Sequence, residues 1–474
     1  MSEIISIFFI ALYAYTILTT ISVLLLENRN PSKSLSWMLI ILFLPVIGLI
    51  LYLIFGQDLR KQRIISRKSI YSLDNRDIAS FDFSKINTDL LDAHQMNLIK
   101  LLYRNSEAVG YAYNKIDVFS DGKEAFEAIF EAVEQAKEHI HLEFYIISND
   151  NITNRLKDLL IKKSREGVRI RIIYDFIGSF NLSRKFLKTL REAGIYVRPF
   201  FPLRFRISRS RINYRNHRKL LVIDGKVAFT GGMNIADRYV YGNRLGYWRD
   251  TFLKIQGSAV HGLQHLFLSD WYFVEKKLIT DKKYYPAPMQ FDNNLIQIVS
   301  SGPDTEWEAI MQGVAKAIMS AKKYIYIQSP YYMPTELIEG CLQLAALSGV
   351  DVRIMIPTRS DSPIAIASTS SYLGKVLQAG VRVFYYQKGF LHAKTIVMDD
   401  FISIVGSCNI DYRSFYQNFE ANAFVYEEKT ALTLKELFLQ DIQHCEEITL
   451  EQWNNRRKSK KLIDSFSRLF SPIL

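Results

Sequence analysis

His217-Arg218-Lys219-Leu220-Leu221-Val222-Ile223-Asp224 is followed by Gly231-Gly232-Met233-Asn234, and the pattern returns as His392-Ala393-Lys394-Thr395-Ile396-Val397-Met398-Asp399 followed by Gly406-Ser407-Cys408-Asn409. The spacings match position for position. A His and a Lys two apart on a strand point to the same face. The apolar residues between each Lys and Asp read as the rest of a buried strand. The Gly pair and the Gly-Ser pair allow the backbone to approach a ligand closely. A lone His on an apolar strand is ordinarily a satisfied core or surface residue, and His94, His139, His141, His261, His265 and His444 are read that way. For His217 and His392 that reading would require two coincidental eight-residue matches. Lys219 and Lys394 each lie among apolar strand residues, where an unpaired ammonium is costly. An anionic ligand would compensate both.

Working outward, the two motifs close two similar halves. Glu124–Glu138 has helical spacing and runs into the alternating strand 139–146; Glu308–Lys322 is again helical and runs into the strand 324–329. Next come Gly167-Val-Arg-Ile-Arg-Ile-Ile and Gly349-Val-Asp-Val-Arg-Ile-Met-Ile, then Ala193-Gly-Ile-Tyr-Val and Ala379-Gly-Val-Arg-Val. Helices alternating with short apolar strands argue for α/β units. Four features repeated in order argue for a duplicated module. The halves are expected at 110–285 and 286–455, divided where Lys282-Lys-Tyr-Tyr-Pro-Ala-Pro288 breaks the periodicity.

Composition agrees with a large folded core: 49% of residues are hydrophobic and 23% charged, which excludes disorder for most of the chain. Lys and Arg exceed Asp and Glu by 60 to 48, so an anionic partner is expected. Three Cys without a CxxC spacing, and eight His without HExxH, point away from a disulfide scaffold and from a metal centre.

The N-terminus differs in kind. Ile4 to Leu26 is 23 residues without a charge, and Leu35 to Phe55 is 21 more. As helices each would reach about 30–35 Å, the depth of a bilayer core. Residues 1–56 are therefore read as a two-helix transmembrane hairpin, with Pro45 and Gly48 tolerated inside the second helix, a re-entrant or monotopic second segment being the lesser alternative. Arg29 and Lys33 lie in the connection, whereas Arg60, Lys61, Arg63, Arg67 and Lys68 follow it. Five against two puts the C-terminal part in the cytoplasm. Residues 57–109 read as a membrane-proximal linker, partly helical around Asp89–Leu102.

The chain resembles the phospholipase D superfamily, whose mark is HxKxxxxD followed by G(G/S)xN, twice. Within it the chain is similar to the bacterial cardiolipin synthases. That likeness rests on the paired apolar segments, Tyr214-Arg-Asn-His217, Phe229-Thr-Gly-Gly-Met-Asn234, Trp248-Arg-Asp250 and Gln328-Ser-Pro-Tyr-Tyr332. The resemblance implies an α/β fold of two pseudo-twofold lobes whose motifs meet in one active site. It implies a phosphatidyltransferase of the bacterial cell membrane that joins two phosphatidylglycerol molecules into cardiolipin and glycerol through a phosphohistidine. A hydrolase, or a transferase using another alcohol, is the near rival, since the same intermediate serves both. A nuclease and a non-enzymatic scaffold are more distant ones.

By the same resemblance His217, Lys219, Asp224, His392, Lys394 and Asp399 form the catalytic set. His217 is the nucleophile and His392 the acid and base. Lys219, Lys394, Asn234 and Asn409 hold the non-bridging oxygens, with Ser407 beside the phosphate. Asp224 and Asp399 are structural salt-bridge partners. Asp250 follows His217 by 33 residues and Glu420 follows His392 by 28; both are expected to orient the imidazoles. Neither metal nor cofactor is expected.

Two basic stretches remain. Arg204, Arg206, Arg209, Arg211, Arg215 and Arg218 are interleaved with Phe200, Phe201, Phe205 and Tyr214. With apolar segments upstream, anionic lipid is favoured over nucleic acid as their partner. Residues 456–474 form a basic amphipathic tail, with Arg456, Arg457, Lys458, Lys460 and Lys461 ahead of Ile463, Phe466, Leu469, Phe470 and Ile473. Such a helix suits either a membrane surface or the enzyme's own body.

Overall fold

The computed structural model describes residues 31–52, 91–202, 213–292 and 294–474, with isolated positions between 4 and 22. The chain divides into two compact units, Met1–Gln62 with Leu203–Asn213, and Arg63–Pro202 with Tyr214–Leu474.

In the smaller unit the second apolar segment is two helices, Pro31–Phe43 and Pro45–Leu51, where a single span over 35–55 is expected from hydropathy. The break has a local cause. Pro45 carries no N–H, and it drives the preceding Leu44 out of the helical region, to φ −130° and ψ 66°. The chain reverses there: the Trp37 and Tyr52 rings meet edge to face at 5.5 Å. A Cβ on Gly48 would lie 2.7 Å from the Ile40 carbonyl oxygen, so only glycine admits this approach. Among the described residues no helix is long and apolar enough to cross a membrane. Most of the first apolar segment, and Arg204, Phe205, Arg206, Arg209 and Arg211, lie outside the described residues.

The larger unit holds the duplicated halves as two α/β lobes. The first lobe has a seven-stranded sheet ordered in space Asn114–Phe119, Phe252–Gly257, Val227–Gly231, Lys219–Ile223, His139–Phe144, Arg169–Asp175 and Tyr196–Phe200. The second repeats it in the same order: Leu295–Ser301, Glu420–Tyr426, Ile402–Gly406, Thr395–Met398, Tyr324–Gln328, Asp351–Pro357 and Arg382–Tyr386. In each sheet the last three strands run parallel and the rest antiparallel. Gly110–Ala112 and Cys445–Ile448 add an edge strand at either side of the second sheet.

That addition moves the expected boundaries. Gly110–Ala112, read as the start of the first lobe, pairs with Leu295–Gln297 of the second. The expected linker contributes the helix Ala93–Ser106, started by an Asp92–Gln95 capping box. Its Leu98, Ile99 and Leu102 lie at helical spacing and are buried in the second lobe's outer core, which a solvated linker would not permit.

Strand alternation builds three cores. Leu221 and Ile223 face the first lobe's helices, where they meet Phe126, Ile129 and Leu142. Ile396, Met398 and Ile404 do the same in the second lobe. Leu220, Val222, Leu253 and Ile255 turn the other way, onto Val397, Val405, Ala423 and Val425. The two sheets thus share a central core, threaded by the helix Val260–Glu275. His141 is satisfied there, with Gln264 on Nδ1 and Arg171 Nη1 at 3.0 Å from Nε2, whereas His139 contacts Gln264 through Nε2 only and its buried Nδ1 has no hydrogen-bond partner among the described residues. Phe267, fully buried, stacks on His141 with ring centroids 4.4 Å apart. We predict that Phe267→Ala lowers stability by about 3–5 kcal/mol, the range for emptying a large aromatic site. Denaturant unfolding measures it, and a loss below about 1 kcal/mol would contradict the shared core.

Candidate active site

Each motif strand is pinned by its terminal Asp. Asp224 and Asp399 sit at φ 54° and 53°, a left-handed turn that Asp tolerates. The resemblance implied salt bridges for both; their carboxylates instead accept backbone N–H groups. Asp224 takes those of Lys137, Glu138 and His139 at 2.8 Å, and Asp399 takes those of Lys322, Lys323 and Tyr324 at 2.6–3.0 Å. Each clamps the turn after one strand to the start of its neighbour. Backbone donors suit the spot because the helix-to-strand junction leaves its N–H groups unpaired.

The other end of each motif strand enters the lobe interface. Asn216 bridges to Phe419, and the His217 N–H donates to the Phe419 carbonyl at 2.9 Å. On the symmetric side Tyr247–Arg249 pairs with Gly389–Leu391, and the His392 N–H donates to the Arg249 carbonyl at 2.7 Å. These two short ladders cross the histidines between lobes. His217 Nδ1 lies 2.9 and 3.0 Å from the two carboxylate oxygens of Glu420. His392 Nδ1 lies 2.6 Å from Asp250 Oδ2. Each carboxylate therefore serves the motif of the opposite half, which distance along the chain does not reveal.

Both imidazoles are buried, and burial disfavours their charged forms. Burial brings the His217 pKa down to about 4, with Glu420 opposing and Lys219 reinforcing. His392 is held well below the usual value by burial, then by Lys394 and Lys219. Burial raises Asp250 to about 6 against the pull of Lys394. Burial would also raise Glu420, but His217, Lys219 and Ser407 bring it below the ordinary carboxylate value. A neutral His217 that donates from Nδ1 to Glu420 keeps its lone pair on Nε2, which has no hydrogen bond among the described residues.

The two lysines complete the convergence. Lys219 Nζ donates to the His217 carbonyl at 2.6 Å and lies 5.5 Å from the Tyr145 ring centre. Lys394 Nζ donates to the His392 carbonyl and lies 2.8 Å from its Nδ1. Each ammonium feels both Glu420 and Asp250. Burial lowers Lys219 to about 7 and Lys394 to about 8.

The remaining expected residues line this centre with different duties. Asn234 accepts the Ile146 N–H at 3.0 Å and donates to Tyr239 Oη at 3.0 Å. Asn409 is buried with its Oδ1 unbonded. The Ser407 hydroxyl donates to Glu420 at 2.5 Å and so braces the carboxylate. At the matching position a Cβ on Gly232 would meet Asp250 Oδ1 at 2.0 Å, which explains why the first motif has glycine there. Sequence reading missed Tyr239, whose Oη is 3.4 Å from His392 Nδ1, and Tyr145, whose ring meets His217 edge-on at 4.9 Å. Nothing in their spacing marks either.

Two arginines of the basic run fall within the described residues, and both differ from the surface patch expected of the run. Arg215 and Arg218 are buried, paired with Asp175 and Asp270. Phe200 and Phe201 belong to the shared core. Arg218 also donates from Nε to the Glu420 carbonyl at 3.2 Å, so this arginine braces the site from behind.

Comparisons with known proteins follow the same division. A family profile described as cardiolipin synthase, PLD-like domain, matches residues 129–271 and 314–442. One described as phospholipase D-nuclease N-terminal matches residues 13–57. The chain is 42% identical to the major cardiolipin synthase of Bacillus subtilis, over 100% of this chain and 99% of that one. It is 41% identical to a cardiolipin synthase of Oceanobacillus iheyensis, over 98% of both. A solved phosphatidylserine synthase of Haemophilus influenzae shares the fold, with a TM-score of 0.61 at 13% identity, covering 80% of this chain and 100% of that one.

Two outcomes follow from the geometry. In protein labelled with ¹⁵N at histidine, Glu420→Gln shifts the ring nitrogens of His217 and leaves those of His392, while Asp250→Asn does the reverse. Finding each variant to perturb the histidine of its own half would contradict the crossing. The lysines give the second. With pKa values of about 7 and 8 they lose protons as pH rises through that range, and a bound anion restores them. Tungstate binding near pH 8 should therefore take up protons and weaken at higher pH. Calorimetry in buffers of different ionisation enthalpy reads this, and binding without proton uptake would refute it.

Proposed function

The chain belongs to the cardiolipin synthase family of phospholipase D-like enzymes, and from that premise we propose that it transfers the phosphatidyl group of one phosphatidylglycerol to the terminal hydroxyl of another. The observation that supports this most is the crossed pair of histidine–carboxylate bonds with two buried lysines between them.

In the first step His217 Nε2 attacks phosphorus, a P–N bond forms, and the bond to the glycerol oxygen breaks. His392 gives that oxygen its proton and glycerol leaves. In the second step His392 takes the proton of the incoming phosphatidylglycerol hydroxyl, whose oxygen attacks phosphorus while the P–N bond breaks. Cardiolipin leaves and both imidazoles return to their starting state. His392 must begin protonated, and the approaching phosphodiester favours this because its negative charge offsets the lysines that depress the pKa. Asp250 on Nδ1 stabilises the imidazolium.

The roles divide by charge. Lys219 and Lys394 face the non-bridging oxygens, where negative charge gathers in the five-coordinate transition state, with the Asn234 and Asn409 amides beside them. Glu420 and Asp250 fix the tautomers; Ser407 and Arg218 hold Glu420 in turn. Residues 4–26 and 35–55 attach the enzyme to a bacterial cell membrane with the catalytic lobes on the cytoplasmic side, as the five-to-two excess of basic residues after the second segment supports.

Detergent-purified protein given phosphatidylglycerol alone should yield cardiolipin and glycerol. His217→Ala and His392→Ala should each lower the rate by about a thousandfold or more. Mass spectrometry of the acid-labile adduct trapped in His392→Ala should find it on His217. Phosphatidic acid as the sole product would overturn the transferase reading, and substantial activity in either variant would overturn the shared site.

A further inference from the structure

The C-terminal helix Lys458–Arg468 inverts the usual arrangement of a surface helix. Its polar stripe faces inward: Asp464, Ser467 and Ser471 are buried. Asp464 accepts from Arg456 at 2.6 Å and from the Ser370 hydroxyl at 3.0 Å, and Ser471 shares a hydrogen bond of 2.6 Å with Ser368. Trp453 packs over Gly374 and donates to the Ser370 carbonyl at 3.1 Å. The helix is thereby fastened to Pro363–Gln378 of the second lobe through a seam of hydroxyls around the buried Asp464, which pairs with Arg456 and, at 3.7 Å, with Lys460.

The apolar stripe faces out. Leu462, Ile463, Phe466 and Leu469 are 58–72% exposed, and Phe470 adds its edge to Phe466. A docked amphipathic helix ordinarily buries this stripe and exposes the polar one. The charge around it has one sign: Arg457, Lys458, Lys460 and Arg468 are exposed, and the only acid in residues 456–474 is the buried Asp464. A second copy of the same stripe would bring like charges together. An anionic lipid surface matches both features, with acyl chains for the stripe and headgroups for the rim.

The position is relevant to the site. The final turn Ser471–Ile473 lies against the short helix Tyr412–Tyr416, and Gln417 donates to the Pro472 carbonyl at 2.8 Å. That short helix is capped by Asp411, two residues after Asn409.

We propose that the C-terminal helix is an interfacial anchor that lays Leu462, Ile463, Phe466 and Leu469 into an anionic bilayer and holds the Asn409 side of the site at the lipid surface. The idea rests on the lipid-substrate reading above and specifies how that site meets its membrane.

Full-length Leu462→Cys protein bearing an environment-sensitive fluorophore, in phosphatidylcholine vesicles with and without phosphatidylglycerol, provides the test. The unsubstituted protein supplies the labelling background, which comes from the half-buried Cys445, since Cys341 and Cys408 are buried. With phosphatidylglycerol present the emission should shift to the blue and be quenched by headgroup-proximal spin-labelled lipid. Adding Phe466→Glu and Leu469→Glu should abolish the quenching with the circular dichroism unchanged, because both sites are exposed. It should also raise the surface fraction of phosphatidylglycerol giving half-maximal rate by about tenfold, with turnover at saturation retained. A probe that stays water-exposed, or that becomes shielded without lipid as protein concentration rises, would overturn the anchor. Cardiolipin formed without quenching removes the anchor alone; quenching without cardiolipin removes the function and leaves the anchor standing.

Discussion

Two buried imidazoles each hold one ring nitrogen against a carboxylate supplied by the opposite lobe, and the rest of the molecule is arranged to make that possible. A histidine in a dry interface needs a partner to fix its tautomer. A carboxylate there needs cations and donors to stay ionised. Each problem is half of the other's solution, so neither lobe is complete by itself. The short ladders at 216–419 and 247–391 bring the groups into register, and the shared apolar core keeps the sheets from sliding. Removing one member would leave a charge buried without compensation, which costs about 3–5 kcal/mol. Stability and chemistry therefore depend on the same few atoms.

The charges gathered at the site favour an anionic ligand. Lys394 sits close enough to lower the pKa of Lys219, and both lysines lower that of His392. In the proposed reaction a phosphodiester would relieve this repulsion on arrival, and a pentacoordinate phosphorus, with more charge on its equatorial oxygens, would relieve it further. Preorganised cations that are underused in the ground state are what differential binding of a transition state requires. The carboxylates cannot serve this purpose, since they are anionic; Glu420 instead accepts from His217 and Ser407.

How far the sequence was legible depends on the range of each interaction. Period-two spacing put His and Lys on one face, and the repeated order of helix and strand marked two equivalent sheets, because alternation and duplication are local properties. Long-range pairing left no such trace. Nothing local separates an acid that orients its own motif's histidine from one that orients the other, so the crossing of Asp250 and Glu420 emerges only in three dimensions. Gly110–Ala112 joins the second sheet for the same reason: a three-residue strand carries no address. Arg215 and Arg218 looked like surface charge because their partners, Asp175 and Asp270, lie far off in the chain. The break at Pro45 was visible as a residue, but the reversal it produces depends on Gly48 accepting a helix backbone. The C-terminal helix showed its amphipathic pattern plainly, and only the buried seam at Asp464 reveals which side faces out.

In the proposed reaction one phosphorus is handled jointly by both halves. An experimental structure of the protein soaked with tungstate tests this. A single anion is expected between the Nε2 atoms of His217 and His392, with Lys219 and Lys394 on its remaining oxygens. Two anions in separate pockets, or one bound by a single motif, would contradict it.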